Sequence, residues 1–148
     1  MNLVVNKTVG LNYHLLESYE AGIKLTGAEV KSLRSKNGSL KEAYIKVDDH
    51  GAYLTSAYIP PYQGTQLMYE TYDPYQKRTL LLSTRELEHI RKAIKQKGHT
   101  VVPVRIYATK RFIKVEIAIA KGKHQYDKRE DLKKRSINMD IDRELREK

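Results

Sequence analysis

The chain has 148 residues, enough for one domain with an apolar core and for a further segment outside it. Its 28 lysines and arginines stand against 18 aspartates and glutamates, a formal net charge of +10; a surplus of that size draws polyanions to a surface. There is no cysteine, which excludes disulfides, thiolate nucleophiles and thiolate metal sites.

Nucleic acid is the first partner class this charge suggests, and an anionic membrane surface the second. The apolar stretch from Met1 to Val5 is too short for a signal peptide. No run approaches a membrane span, so a cytoplasmic protein with no membrane partner is expected. Tryptophan is absent and Phe112 is the one phenylalanine, but there are 11 tyrosines, which can stack on bases or rim a core.

Tyr13 to Leu25 reads as a strand, broken by a bulge or bend at Ala21–Gly22. Thr26-Gly27-Ala28-Glu29 is a capping box. It opens a short helix from about Gly27 to Lys36, with Val30 and Leu33 on one face and Lys31 and Arg34 on another. Asn37–Gly38 supplies its stop. Ala43 to Val47 and Ala52 to Ile59 read as paired strands around the turn Asp48-Asp49-His50-Gly51, closed by Pro60–Pro61. A tyrosine-rich connection follows from Tyr62 to Tyr75, and then a strand from Arg78 to Leu82. Ser83-Thr84-Arg85-Glu86 is a second capping box, with Leu87, Ile90 and Ile94 at helical spacing and Gly98 closing the helix.

The clearest hairpin comes last. Val102, Val104 and Ile106 alternate with Val101, Pro103 and Arg105. After a turn at Thr109–Lys110, Ile113, Val115, Ile117 and Ile119 face one way and Lys114 and Glu116 the other. Pro103 marks an edge or bulged position. About six strands and two helices result, a mainly β fold. An antiparallel barrel of OB type with flanking helices is the preferred closure, and an open α+β sheet the alternative.

After Ala120 the composition changes. Lys121 to Arg135 holds seven Lys/Arg against three Asp/Glu, with few aliphatic residues. A body over 1–120 and a basic C-terminal tail over 121–148 are therefore expected, the tail disordered when free and helical on an anionic partner.

The catalytic signals are weak. The histidines at 14, 50, 89, 99 and 124 form no helical metal pair. There is no phosphate loop and no nucleophile elbow. Asp48, Asp49 and His50 suggest at most a divalent-cation nuclease, and a polar turn is the simpler reading. No enzyme and no cofactor is expected. Binding fits better: Lys31, Arg34, Lys36, Arg78, Lys121, Lys123, Lys128, Arg129, Lys133, Lys134 and Arg135 are candidate phosphate contacts.

Two long motifs sharpen this. Tyr19-Glu20-Ala21-Gly22-Ile23-Lys24-Leu25-Thr26-Gly27-Ala28-Glu29-Val30-Lys31-Ser32-Leu33-Arg34 resembles the N-terminal signature of the SmpB family of SsrA-binding proteins. Gly122-Lys123-His124-Gln125-Tyr126-Asp127-Lys128-Arg129 resembles its C-terminal signature. Asn6–Lys7, Tyr13, Asp73–Pro74, Arg78 and Leu80-Leu81-Leu82 fall in the matching order between and around them. The sequence departs from the family where Leu11, Ser83 and Gln76 stand, positions at which many members carry histidine, asparagine and arginine.

The resemblance implies a bacterial, non-catalytic adaptor. It would bind the tRNA-like domain of transfer-messenger RNA and carry it to ribosomes stalled without a stop codon, so that unfinished proteins are tagged for degradation. Its partners would be that RNA, the small-subunit decoding centre and the message channel. RNA contacts carried over residue by residue are Glu20, Leu82 and Ser83, with Lys123 and Lys128 on the tail side. His124, Tyr126, Asp127, Lys128, Arg129, Lys133, Lys134 and Arg135 would form a ribosome-binding tail, with His124 and Tyr126 placed to stack. Glu20 gains nothing from phosphates, so it would accept from base amino groups or a sugar hydroxyl, or else tie down the bend beside it. Ser83 would cap its helix, contact RNA, or both.

Overall fold

The computed structural model describes residues 1–62 and 72–123. The tail from His124 onward, and the tyrosine-rich connection from 63 to 71, lie outside the described residues.

Among the described residues, seven strands make one antiparallel sheet. In chain order they are β1 (Asn2–Val5), β2 (Tyr13–Ile23), β3 (Tyr44–Val47), β4 (Ala52–Thr55), β5 (Arg78–Leu81), β6 (His99–Ala108) and β7 (Ile113–Gly122). The spatial order is β1-β6-β7-β2-β5-β4-β3. The edge strand β3 also packs against β6, at the far side of the sheet. The sheet therefore curls on itself and encloses its apolar face, as the preferred OB-type barrel requires. Leu33, Leu54, Ile59, Ile90, Ile106, Val115 and Ile117 fill the interior with almost no exposure.

Among the described residues, three helices flank the barrel: α1 (Val9–Asn12), α2 (Gly27–Arg34) and α3 (Thr84–Ile94). Both expected capping boxes form. Thr26 Oγ1 accepts from the Glu29 amide at 3.2 Å, and Glu29 Oε1 accepts from the Thr26 amide at 3.0 Å. Ser83 and Glu86 repeat the exchange at 3.2 and 3.1 Å. Each satisfies amides that the helix start would otherwise leave unpaired. α2 ends differently from expectation. The left-handed residue is Lys36, with φ 60°. Gly38 is there for space instead: a Cβ on it would meet Val4 Cγ2 at 3.0 Å and the Tyr58 carbonyl at 3.1 Å.

Three elements differ from the sequence reading for local reasons. β1 and α1 were not expected. β1 buries two neighbouring residues, Leu3 and Val4, across a register shift, and α1 is one turn long. Neither has room for a periodic pattern. β4 stops at Thr55 because Ser56 takes φ 61°; Tyr58 then makes a single bridge to Ser39 rather than extending the strand to Ile59.

The last hairpin forms, but not with the simple alternation expected. Pro103 sits in an interior strand, and the register shifts between Pro103 and Arg105. A bulge adds one residue and reverses which side chains face inward. Val101 and Ile106 consequently join the barrel core, while Val102 and Val104 face a second cluster with Val9, Tyr13 and Ala120. α1 covers that cluster, so the end of β7 is buried on both faces. β7 runs on through Lys121 and Gly122, and the Lys123 amide donates to the Asn12 carbonyl at 2.9 Å.

Candidate nucleic-acid interface

Glu20 lies on β2 two residues before Gly22, and Ser83 lies two residues after Leu81. Gly22 and Leu81 are register partners, so the β2–β5 junction brings Glu20 and the Leu82–Ser83 corner to one end of the sheet. Gly22 fits closely there: an added Cβ would sit 3.1 Å from Leu81 Cβ. β5 leaves β2 beyond this point and becomes α3, while β2 stays paired to β7 along its length.

The three residues are not equivalent in setting. Glu20 is exposed. Leu82 is half-buried and packs on the barrel core, whereas its neighbour Leu81 is 52% exposed. Ser83 is exposed, and its oxygen already accepts the Glu86 amide; its own hydrogen remains for another acceptor. Glu86 occupies the Ser83 amide and puts a carboxylate at the helix start, which opposes a phosphate there.

Further down the β2–α3 seam, His89 Nε2 is 3.3 Å from Glu17 Oε2, and the His89 ring meets Tyr19 edge-on at 6.0 Å. Burial, followed by the carboxylates of Glu17 and Glu86, pushes the Tyr19 phenol upward.

Outside the barrel, Glu20 belongs to a polar row. It stands across from Glu116 on β7, which stands across from Arg105 on β6. Arg105 Nε donates to Glu116 Oε1 at 3.2 Å, and Tyr107 lies under the Arg105 guanidinium at 4.2 Å. The sequence reading did not single out Arg105, Tyr107 or Glu116 as site residues. Their alternation on β6 and β7 shows an outward face, but only the pairing of β7 with β2 brings that face to Glu20.

Among the described residues, the cations separate into three groups. Lys31 and Arg34 are exposed on the outer side of α2, opposite Glu29, Ser32 and Leu33, and Lys31 Nζ is 5.5 Å from the centre of the Tyr62 ring. Lys36, with Lys7 and Lys41, rims a groove of about 520 Å³ between β1 and the loop after α2. Lys121 is exposed at the end of β7 and Lys123 follows it. The tail residues His124, Tyr126, Asp127, Lys128, Arg129, Lys133, Lys134 and Arg135 lie outside the described residues.

Arg78 corrects the sequence reading. It is no surface cation, for its side chain is 2% exposed. β5 places it on the same face as Leu80, which points inward. It donates to Glu29 Oε2 at 2.7 Å, to the Ala57 carbonyl at 2.7 Å, and to Tyr72 Oη and the Pro74 carbonyl at 3.0 Å each. The Tyr72 hydroxyl shares its one proton between the Ile59 carbonyl, at 2.8 Å, and Glu29, at 3.1 Å. Burial foremost pushes that phenol up to about 12. Gln76 completes the set, donating to Glu29 Oε2 at 3.3 Å. For Glu29, burial works against ionisation. The Thr26 amide, the Arg78 charge and the bonds from Arg78 and Gln76 outweigh it and hold the carboxyl below its usual range. The cluster is a structural clasp between α2 and the stems of the connection from β4 to β5.

The acidic turn is also structural in its contacts. Asp48 Oδ1 accepts from the His50 amide at 2.8 Å and the Gly51 amide at 3.1 Å. Among the described residues, no group of three or more histidine, cysteine or acidic side chains is placed to hold a metal ion.

Comparison with known proteins places these features. A family model described as SmpB protein matches residues 3–147. The SsrA-binding protein of Solidesulfovibrio magneticus is 43% identical over 143 residues, covering 97% of this chain and 92% of that protein. That of Aquifex aeolicus is 40% identical over 144 residues, covering 97% and 90%. A solved chain described as "tmRNA-SmpB: a journey to the center of the bacterial ribosome" aligns with a TM-score of 0.68 at 38% identity, covering 86% of this chain and 92% of that one. The sequence match runs along nearly the full length and the fold match over 86% of it, and the chain belongs to the SmpB family.

Proposed function

We propose that the protein is a non-catalytic RNA-binding adaptor of bacterial trans-translation. It binds the tRNA-like domain of transfer-messenger RNA and delivers that RNA to stalled ribosomes in the cytoplasm. The observation that carries this reading is the near-complete alignment, in sequence and fold, with the chain solved in the transfer-messenger RNA and SmpB setting. Among the described residues no helix is long and apolar enough to cross a membrane.

The barrel does what a tRNA-like partner demands of it. A closed sheet keeps its outer face in one shape, so Glu20 and the Leu82–Ser83 corner meet a folded RNA without reordering. Lys31, Arg34, Lys36 and Lys121 add phosphate contacts that position without reading sequence. The tail supplies His124, Tyr126, Asp127, Lys128, Arg129, Lys133, Lys134 and Arg135. In this reading it becomes helical along the message channel and stacks at the decoding centre, after the barrel has docked.

Competition at physiological salt tests the proposal. Labelled transfer-messenger RNA bound to the protein is challenged with an excess of bulk tRNA. Retention of the label is the expected result. Ready displacement would mean that charge alone drives binding, and the adaptor role would fall with it.

A further inference from the structure

Lys36 holds a backbone conformation that residues other than glycine rarely take. Its φ is 60°, where a Cβ is penalised and glycine is not. A cation at the end of α2 gains something from the helix dipole, but Lys31 and Arg34 already stand in the last turn. The end of α2 therefore does not call for a third cation at a strained position.

The surroundings of Lys36 do. Lys36, Lys7 and Lys41 are all exposed on the one groove between β1 and the loop after α2. No aspartate or glutamate lines that groove. Among the described residues none of the three lysines makes an ion pair. The backbone that carries them is pinned. The Lys36 amide donates to the Leu33 carbonyl at 2.9 Å, and the Lys41 amide donates to Ser39 Oγ at 3.2 Å. Beside Lys7, the Asn6 amide and side chain donate to the Val104 and Pro103 carbonyls at 2.9 and 3.0 Å. Leu3, Val4 and Leu40 in the groove are already buried, so an apolar partner would gain little there. The groove offers three uncompensated positive charges on fixed backbone, with the Thr8 and Ser39 hydroxyls beside them. A polyanion of regularly spaced charges fits that offer.

The groove also lies in register with Glu20. Val5, on its wall, is the partner of Arg105. Arg105 pairs with Glu116, and Glu116 with Glu20. Groove and Glu20 thus end one row across four strands, about 14 Å by the usual strand spacing. That is about four steps of a stacked RNA strand.

We propose that the groove is a phosphodiester site for a strand of the tRNA-like domain, with Lys7, Lys36 and Lys41 neutralising its phosphates. The inference rests on the adaptor reading above and gives the same RNA a second contact, blind to sequence, beyond Glu20. The strain at Lys36 then has a function, because it keeps a cation over the groove.

Two variants of the full-length protein test it, each read as affinity for the tRNA-like domain over a salt series. The first combines Lys7→Gln, Lys36→Gln and Lys41→Gln. It should lose affinity on the order of tenfold and flatten the slope of log affinity against log salt by about two, since three phosphate contacts go. Lys92→Gln, Lys95→Gln and Lys97→Gln together remove the same charge at the end of α3, and that control should keep a slope near the parent's. The second variant is Lys36→Gly. It should raise the thermal midpoint by relieving the strain, yet bind more weakly, with a slope lower by just under one. A lower midpoint with parent-like binding would make Lys36 a structural residue and overturn the proposal. So would a parent-like slope in the first variant, or an equal loss in the α3 control. Parent-like RNA affinity in the first variant, with weakened binding to polyglutamate, would make the groove an acidic-peptide site instead and overturn it too. Displacement by bulk tRNA strikes the adaptor reading, whereas these outcomes compare variants on one RNA, so the two fail separately.

Discussion

Arg78 Nε lies 2.7 Å from Glu29 Oε2, and both side chains are 2% exposed. Two opposite charges are thus buried together, with Tyr72, Gln76 and backbone carbonyls filling their other valences. Such a pair adds little net stability when whole and costs a great deal when halved.

Glu29→Gln leaves the Arg78 guanidinium buried without its counter-charge. The expected loss is about 3–5 kcal/mol of unfolding free energy, measured by urea titration at pH 7. The pH dependence follows from the lowered Glu29 pKa. The folded state binds fewer protons at this carboxyl than the unfolded chain. Its contribution is therefore complete above the unfolded pKa of about 4.3 and declines as pH falls through that value toward the folded one. Glu29→Gln should be less stable at neutral pH and show a shallower decline in acid. An unchanged acid slope would show that Glu29 does not titrate as described.

Gly38→Ala tests the closeness of α2 to β1. The new methyl carbon would meet Val4, Leu33 and the Tyr58 carbonyl at 3.0 to 3.1 Å, and crowding of that kind costs about 1–3 kcal/mol. Gly27→Ala meets nothing within 4 Å and serves as the control. Equal midpoints in a denaturation series for the two variants would contradict the packing described.

Ser83 separates capping from RNA contact. Ser83→Ala removes the acceptor for the Glu86 amide, with an expected cost of about 0.5–2 kcal/mol. Ser83→Asp keeps a cap and adds negative charge where the proposed RNA contact would lie. It should retain parent stability and lose affinity for transfer-messenger RNA. Parent-like affinity in Ser83→Asp would confine this residue to capping.

Removal of the tail belongs after Lys123. β7 includes Lys121 and Gly122, and the Lys123 amide closes onto Asn12, so a cut after Ala120 would damage the barrel as well. A chain ending at Lys123 should bind transfer-messenger RNA near parent affinity and fail to support tagging in a reconstituted translation assay. Normal tagging by that chain would remove the tail from the mechanism.

Much of the barrel is legible in the sequence because its signals are local. The two capping boxes need only four residues each, and Ile113 to Ile119 carries a clean period of two on a strand whose first half is buried on one face. What was hidden depends on partners distant in the chain. The role of Arg78 could have been seen: it shares parity with Leu80, so the inward face was predictable even for a cation. The Pro103 bulge was half visible, since proline announces an irregularity but not the change of face for Val101 and Ile106. The row of Arg105, Tyr107, Glu116 and Glu20 was not visible at all. It exists because β7 lies between β6 and β2, a fact of sheet order that no local pattern encodes.

β1 runs antiparallel to β6, and the Met1 amine and carbonyl both bond Ala108. Residue 1 is thereby stitched to the β6–β7 turn, while residue 123 leaves from the other end of the same ten-residue strands, roughly 33 Å away. A dye or affinity handle joined ahead of Met1 would stand clear of residue 123, and a donor–acceptor pair at positions 1 and 123 would form a fixed ruler. Energy transfer from the first position to probes placed beyond the second would then report where that extension goes when the ribosome is added, without disturbing the surface that carries Glu20.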